Sequence, residues 1–279
     1  KVAVLLAFSA RPDVLILDLE DAVAPGAKAA ARALAVDWLA AHRGKVGLPA
    51  AWVRINALDT PFWQPDLVAV MRGGPVGILL PKAAGPEAVQ QLAAELYDLE
   101  SRNGITAGTT RIMPLVSETA AAALTIARYV GASLPRLGGI TWGAEDLSAA
   151  IGATRKESAK GVWSPVFQYV RSQVVLAGHG AGVPAIDTLH ADFKDEKGLK
   201  KRAGEARADG FAGMLAIHPA QVAAINDAFA PSAAELKAAQ IIVDGFAADP
   251  DAGVLNIGGR MVDRPHLLLA QRLLGLEEG

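Results

Sequence analysis

The chain has 279 residues, 52% of them hydrophobic and 20% charged, with a net charge of −2 and no cysteine. That composition supports a large buried core and excludes disulfides, thiolate metal sites and a cysteine nucleophile; it offers no basic field for nucleic acid or an anionic membrane. No apolar stretch reaches the roughly 20 residues of a membrane span, so a cytoplasmic enzyme is the expectation.

Short apolar runs alternate with longer alanine-rich segments. The runs predict strands at 2–8, 14–18, 52–56, 77–81, 112–116, 139–142, 183–187 and 215–217. The segments between them predict helices, among them 27–42, 86–101, 119–130, 164–178 and 197–208, the first introduced by the start signal Pro25-Gly26. Eight strands interleaved with helices argue for an α/β fold, a (β/α)8 TIM barrel. A doubly wound open sheet is the alternative, disfavoured because no glycine-rich dinucleotide fingerprint follows an early strand. One junction is too short. Only Ser9-Ala10-Arg11-Pro12-Asp13 separates the first two runs, whereas a parallel crossover takes about a dozen residues. Either the first run stands outside the barrel or a crossover helix is absent. Beyond residue 230 the pattern changes to a helix at 232–247, the turn sequence Asp249-Pro250-Asp251-Ala252-Gly253, a hairpin around Gly258-Gly259 and a last helix at 265–274. The expected organisation is a barrel over 1–230 and a C-terminal helical/hairpin extension over 231–279, suited to covering a neighbouring subunit or a barrel mouth.

Catalytic groups of such barrels collect at the C-terminal ends of the strands. The second run, VLILD, ends in Asp18, Glu20 and Asp21; Arg54 and Asn56 interrupt WVRIN; Lys82 follows ILLP; Glu118 follows PLVS; Glu145 and Asp146 follow TWGA; Asp187 and His218 end the last two runs. Taken singly, each has a plainer explanation: Glu118 and Glu145-Asp146 as acids of helix starts, Arg54 as a neutralising partner of Asp18, Lys82 as a solvated lysine, His218 as a packed ring. Their joint placement argues for a site. Carboxylates without histidine or cysteine partners suit a hard cation such as Mg2+ or Mn2+, held by one or two carboxylates with water and substrate completing the shell. Glu118 and Asp146 fit as its ligands and Glu20 and Asp21 as holders of its waters. Arg54 offers a planar fork to a substrate carboxylate or developing oxyanion, and Lys82 joins it as a substrate-binding candidate.

The segments LILDLEDAV, WVRINALDT, ILLPKA, PLVSETA, WGAEDLSAAIGATR, GVPAIDT, GFAGMLAIHPAQV and GRMVDRPHLLLAQRLL together resemble the citrate lyase beta-subunit/malyl-CoA lyase family of the HpcH/HpaI aldolase superfamily. The resemblance implies a (β/α)8 barrel whose C-terminal extension packs on a neighbouring subunit, in a homotrimer or hexamer. It implies Mg2+-dependent cleavage or formation of a carbon–carbon bond in an acyl-CoA thioester, with a small oxo acid as the second partner. A malyl-CoA thioesterase or malate synthase-like outcome, or a carrier-dependent citryl lyase subunit of a complex, is the alternative. Carried over by position, Glu118 and Asp146 are the metal ligands, Glu20 and Asp21 their acidic support, Arg54 the substrate-binding and catalytic arginine, and Asp263 in MVDRP the catalytic carboxylate delivered by another chain. The chain departs from the family in the short junction before residue 14, in Met214 where a lysine is common, and in the absence of a glycine after Glu118.

Overall fold

The computed structural model describes residues 10–276, so the predicted strand at 2–8 lies outside the described residues. The chain divides into two compact units with the boundary between Asp227 and Ala228. Among the described residues, no helix is long and apolar enough to cross a membrane.

The larger unit alternates strands and helices. Strands β1 (Val14–Asp18), β2 (Ala50–Arg54), β3 (Gly77–Leu80) and β4 (Arg111–Pro114) pair parallel in chain order. Strands β5 (Ile140–Thr141), β6 (Ala185–Asp187) and β7 (Gly213–Met214) continue the order. Parallel bridges Ile112–Leu137 and Leu115–Thr141 join the two sets. Among the described residues, seven parallel strands pair in chain order with helical crossovers, as in a (β/α)8 barrel, and the open-sheet alternative is set aside. The main helices are α1 (Lys28–His42), α2 (Trp63–Val70), α3 (Pro86–Arg102), α4 (Ala120–Ala123), α5 (Ala144–Ala150), α6 (Pro165–Gly180), α7 (Glu196–Ala208) and α8 (Pro219–Phe229).

Parallel strands covered on both faces read as continuous apolar runs, and Val53, Ile78, Leu80 and Ile112 are fully buried. The barrel interior is a layer of Trp52, Leu79 and Met113, with Ile16 and Ile186 packed against it. Gly77 is the register partner of Trp52, and a Cβ there would lie 2.6 Å from the indole; only glycine leaves the ring its place. Side chains repeat every second residue along a strand, so Asp18 and Arg54 stand one layer above Ile16 and Trp52, at the C-terminal mouth.

The strands expected at 52–56 and 112–116 each end two residues early, at Arg54 and Pro114, and two further elements differ for reasons visible in their hydrogen bonds. The strand expected at 215–217 is β7, two residues earlier. Leu215 N–H still donates to Asp187 O (3.0 Å), but the Ile217 and His218 N–H groups turn to Gln221 Oε1 at 2.8 and 3.2 Å and open α8 instead. The helix expected over 119–130 breaks after Ala123 and resumes as a 3-10 turn at Ile126–Tyr129. There the Thr125 hydroxyl donates to Ala122 O (2.8 Å), offering that carbonyl a side-chain donor in place of the next helical turn.

The C-terminal unit holds α9 (Ala233–Ala248), a hairpin of β8 (Val254–Ile257) and β9 (Arg260–Asp263), and α10 (Arg264–Leu274). Ser232 and Glu235 form a reciprocal capping box on α9. The two-residue turn Gly258-Gly259 has φ of +59° and +81°, the left-handed pair that matches hairpin twist and that glycine tolerates at no steric cost.

Candidate functional site

Asp18 and Arg54 are register partners on β1 and β2, so their side chains project from the same layer. Arg54 grips Asp18 with both arms, Nε to Oδ1 at 2.8 Å and Nη2 to Oδ2 at 2.5 Å. Asp18 Oδ1 also accepts from Glu20 N–H (2.8 Å). Burial pushes the Asp18 carboxyl up, but the Arg54 hydrogen bond and charge outweigh it and hold the group below the usual carboxylate range. Burial likewise opposes the charge on Arg54, yet Asp18 and Glu20 raise its pKa further.

Glu20 turns inward and is buried. Its Oε1 lies 2.6 Å from Lys82 Nζ and its Oε2 3.1 Å from Arg54 Nη1. The second contact is not aligned, so Oε2 remains a buried acceptor without a hydrogen bond. Burial pushes Glu20 up by more than Lys82 and Arg54 draw it down. Lys82 is not a solvated lysine. It adopts a left-handed backbone (φ +50°), a conformation that costs a non-glycine residue about 1 kcal/mol or more. In return its N–H donates to Glu118 Oε2 while its ammonium reaches Glu20.

Glu118 is 3% exposed. Burial, opposed by the Lys82 N–H, and the negative charges of Asp146 and Glu20 push its carboxyl up to about 8. It does not cap the helix that follows, because Thr119 does so through Ala122 N–H (3.1 Å). Asp146 lies in the first turn of α5, after Gly143. A Cβ on Gly143 would stand 3.3 Å from Glu118 Cγ and 3.7 Å from both Asp146 Oδ2 and Glu118 Oε1. The two carboxylates therefore flank a hollow that a side chain at 143 would fill.

The remaining candidates separate from this group. Glu145 pairs outward with Lys156. Asp187 is fully buried and bound by Trp142 Nε1, Thr188 N–H and Arg171. His218 stacks on Phe193 at 4.7 Å. Asp21 is exposed and acts through its charge on Glu20, Arg54 and Lys82. Asp263 belongs to the C-terminal unit, where it caps α10 and its Oδ1 lies 2.5 Å from His266 Nδ1.

Sequence reasoning missed the support beneath the site. Buried Lys28 donates to the Leu19 and Glu20 carbonyls at 2.7 and 2.8 Å and to Asn56 Oδ1 at 2.7 Å, fixing the acidic loop from behind. Asp66 receives Asn56 and Arg32. Ser117 Oγ accepts from Gly143 N–H (3.2 Å), tying the Glu118 segment to the Asp146 segment. Lys28, the second residue of the helix expected over 27–42, carries nothing in the sequence that sets it apart from a solvated helix lysine.

Among the described residues, no three His, Asp or Glu side chains converge as a metal cage. The chain offers instead two oxygen-donor carboxylates about a hollow, the donor set a hard cation that retains several waters needs. The orphaned Glu20 oxygen behind them is an acceptor for such water. The residues present fit a magnesium-type ion.

The family model described as HpcH/HpaI aldolase/citrate lyase matches residues 4–219. The chain is 32% identical over 266 residues to the citrate lyase subunit beta of Leuconostoc mesenteroides subsp. cremoris, covering 95% of this chain and 85% of that protein. It is 33% identical over 268 residues to the L-malyl-CoA/beta-methylmalyl-CoA lyase of Rhodobacter capsulatus, covering 90% and 83%. The crystal structure of CitE from Mycobacterium tuberculosis in complex with magnesium, acetoacetate and coenzyme A superposes with a TM-score of 0.75 at 33% identity, covering 96% of this chain and 90% of that one.

Proposed function

The chain belongs to the HpcH/HpaI aldolase/citrate lyase family, and from that premise we propose that it is a Mg2+-dependent carbon–carbon lyase. Its substrate is a 3-hydroxyacyl-CoA thioester of the malyl-CoA or citramalyl-CoA kind, cleaved to an acyl-CoA and a small oxo acid. The observation that carries this reading is the Glu118–Asp146 pair flanking the Gly143 hollow, with Lys82 and Arg54 beside it. Relatives named for these activities, and a solved relative described with magnesium and coenzyme A, support it.

Glu118 and Asp146 would hold the ion, with Mn2+ as a substitute, and Glu20 and Asp21 would hold water around it. When bound, the ion supplies Lewis-acid polarisation of the substrate's oxygens. Arg54, anchored by Asp18, directs its remaining N–H donors at the thioester oxygen as the electron pair of the breaking carbon–carbon bond moves into the enolate. Lys82 places a cation for the substrate carboxylate. The hydroxyl proton leaves to a base and the enolate carbon gains a proton. We assign the carbon-bound proton to Asp263 of a neighbouring subunit in a homotrimer or hexamer; the exposed Met261, Leu268 and Leu269 of the C-terminal unit need an apolar surface to cover them.

The test is a panel of CoA thioesters with the purified chain and Mg2+. Equimolar oxo acid and acyl-CoA are expected. Release of free CoA instead identifies a thioesterase, and turnover only of carrier-bound thioesters identifies a carrier-dependent subunit; either outcome replaces the proposal. For the shared site, Asp263→Asn and Glu118→Gln chains, each inactive alone, regain activity when mixed. No recovery, with subunit exchange shown by mass spectrometry, overturns the sharing.

A further inference from the structure

Trp142 directly follows β5, before Gly143 and the first turn of α5 that carries Asp146, and its indole is fully buried. Its Nε1 donates to Asp187 Oδ1 at 2.7 Å, and the same oxygen accepts from Thr188 N–H at 2.8 Å. Thr188 Oγ1 in turn accepts from Ala144 N–H at 3.4 Å. Two consecutive residues at the end of β6 thus hold the chain on both sides of Gly143. The other carboxylate oxygen, Oδ2, is 2.9 Å from Arg171 Nε, and Arg171 continues to Asp209 at the end of α7. Asp187 is therefore clamped from α6 while it holds the residue that follows β5.

A buried carboxylate and its ion pair are not an economical way to stabilise a barrel, because the desolvation cost cancels much of the attraction and well-packed apolar residues do as well. What such a network provides is direction: a charged acceptor with several bound donors leaves the indole one orientation. The segment oriented here is the one that carries Asp146.

We propose that Asp187 is a positioning residue of the metal site, acting through Trp142 and Thr188 to aim the Gly143–Asp146 turn at Glu118. This rests on the reading of Glu118 and Asp146 as metal ligands. Asp187 itself touches neither ion nor substrate; it governs how well the hollow fits a cation before substrate arrives.

The test uses Mn2+ alone, titrated against the full chain without substrate, with free Mn2+ read by electron paramagnetic resonance well below Tm. Trp142→Phe keeps an aromatic ring but loses the donor together with part of the indole's volume. Its Mn2+ Kd rises about tenfold, the lower range for loss of a group that orients a metal ligand. Thr188→Val, of the same shape, shifts Kd in the same direction and serves as the test should Trp142→Phe not fold. Val174→Ala, a fully buried truncation on α6 outside the network, lowers Tm but leaves Kd unchanged, which separates positioning from general destabilisation. A Kd within twofold of wild type in the folded Trp142→Phe chain overturns the inference, as does an equal shift in Val174→Ala. Failure of the wild-type chain to bind Mn2+ overturns the metal site itself and this inference with it.

Discussion

Replacing Glu118 by glutamine exposes the electrostatic tension of the site. In the metal-free fold its carboxyl titrates at about 8, against 4.5 when unperturbed. Between those values the folded chain holds a proton that the unfolded chain has released, so stability falls as pH rises through this window and levels off above about 8. At about 1.4 kcal/mol per pH unit, the loss between pH 5.5 and 8.5 is about 3 kcal/mol. Glutamine retains an acceptor for the Lys82 N–H but has no charge to desolvate or to face Asp146 and Glu20. Relative to wild type, Glu118→Gln therefore gains about 3 kcal/mol over that span, roughly 6–12 °C in Tm for a chain of this size. The assay is thermal unfolding followed by circular dichroism in EDTA across the pH range. Mg2+ then raises the Tm of wild type at pH 8.5 and leaves the variant unmoved. Tm profiles of the two chains that run parallel from pH 5.5 to 8.5 refute the argument, because they show that Glu118 is not held at high energy by its surroundings.

Three further outcomes follow from the same geometry. Gly143→Ala places a methyl 3.3 Å from Glu118 Cγ and 3.7 Å from both Glu118 Oε1 and Asp146 Oδ2; the backbone accepts alanine at φ −117°, but the Glu118 side chain must shift to make room, and metal affinity falls in a calorimetric titration. Arg54→Lys keeps charge and loses the two-armed grip on Asp18; kcat falls about 10²-fold, the scale for one preorganised oxyanion donor, as measured by oxo acid release. Arg136→Met leaves fully buried Glu100 without its paired guanidinium, costing about 3–5 kcal/mol in a denaturant melt. Burial works against the charge on Glu100, yet Arg136 and the backbone N–H groups of Thr110 and Gly108 hold it at about 2; the stability it contributes is present above 4.5 and is lost as pH falls toward 2.

Much of this protein was legible without coordinates. Apolar runs locate strands at 14–18, 52–56 and 77–81 close to the observed β1, β2 and β3, because a buried parallel strand must be apolar on both faces. The placement of Asp18, Arg54, Lys82, Glu118 and Asp146 at strand ends was equally readable, since barrel connectivity fixes which ends share a mouth. The sequence already suggests Arg54 as a neutralising partner of Asp18; what the linear order does not contain is the register across β1 and β2 that sets the two side by side and gives Arg54 its two-armed grip. A left-handed backbone at Lys82 sends its N–H to Glu118 and its ammonium to Glu20, which no local propensity of lysine favours. Lys28, Ser117 and Asp187 read as ordinary helix or strand-end residues, and only their burial against segments 26 to 45 residues away in sequence, or against the acidic loop itself, turns them into supports. Such roles depend on which polar groups are left to be satisfied once the core has closed, and that is decided by the tertiary structure alone.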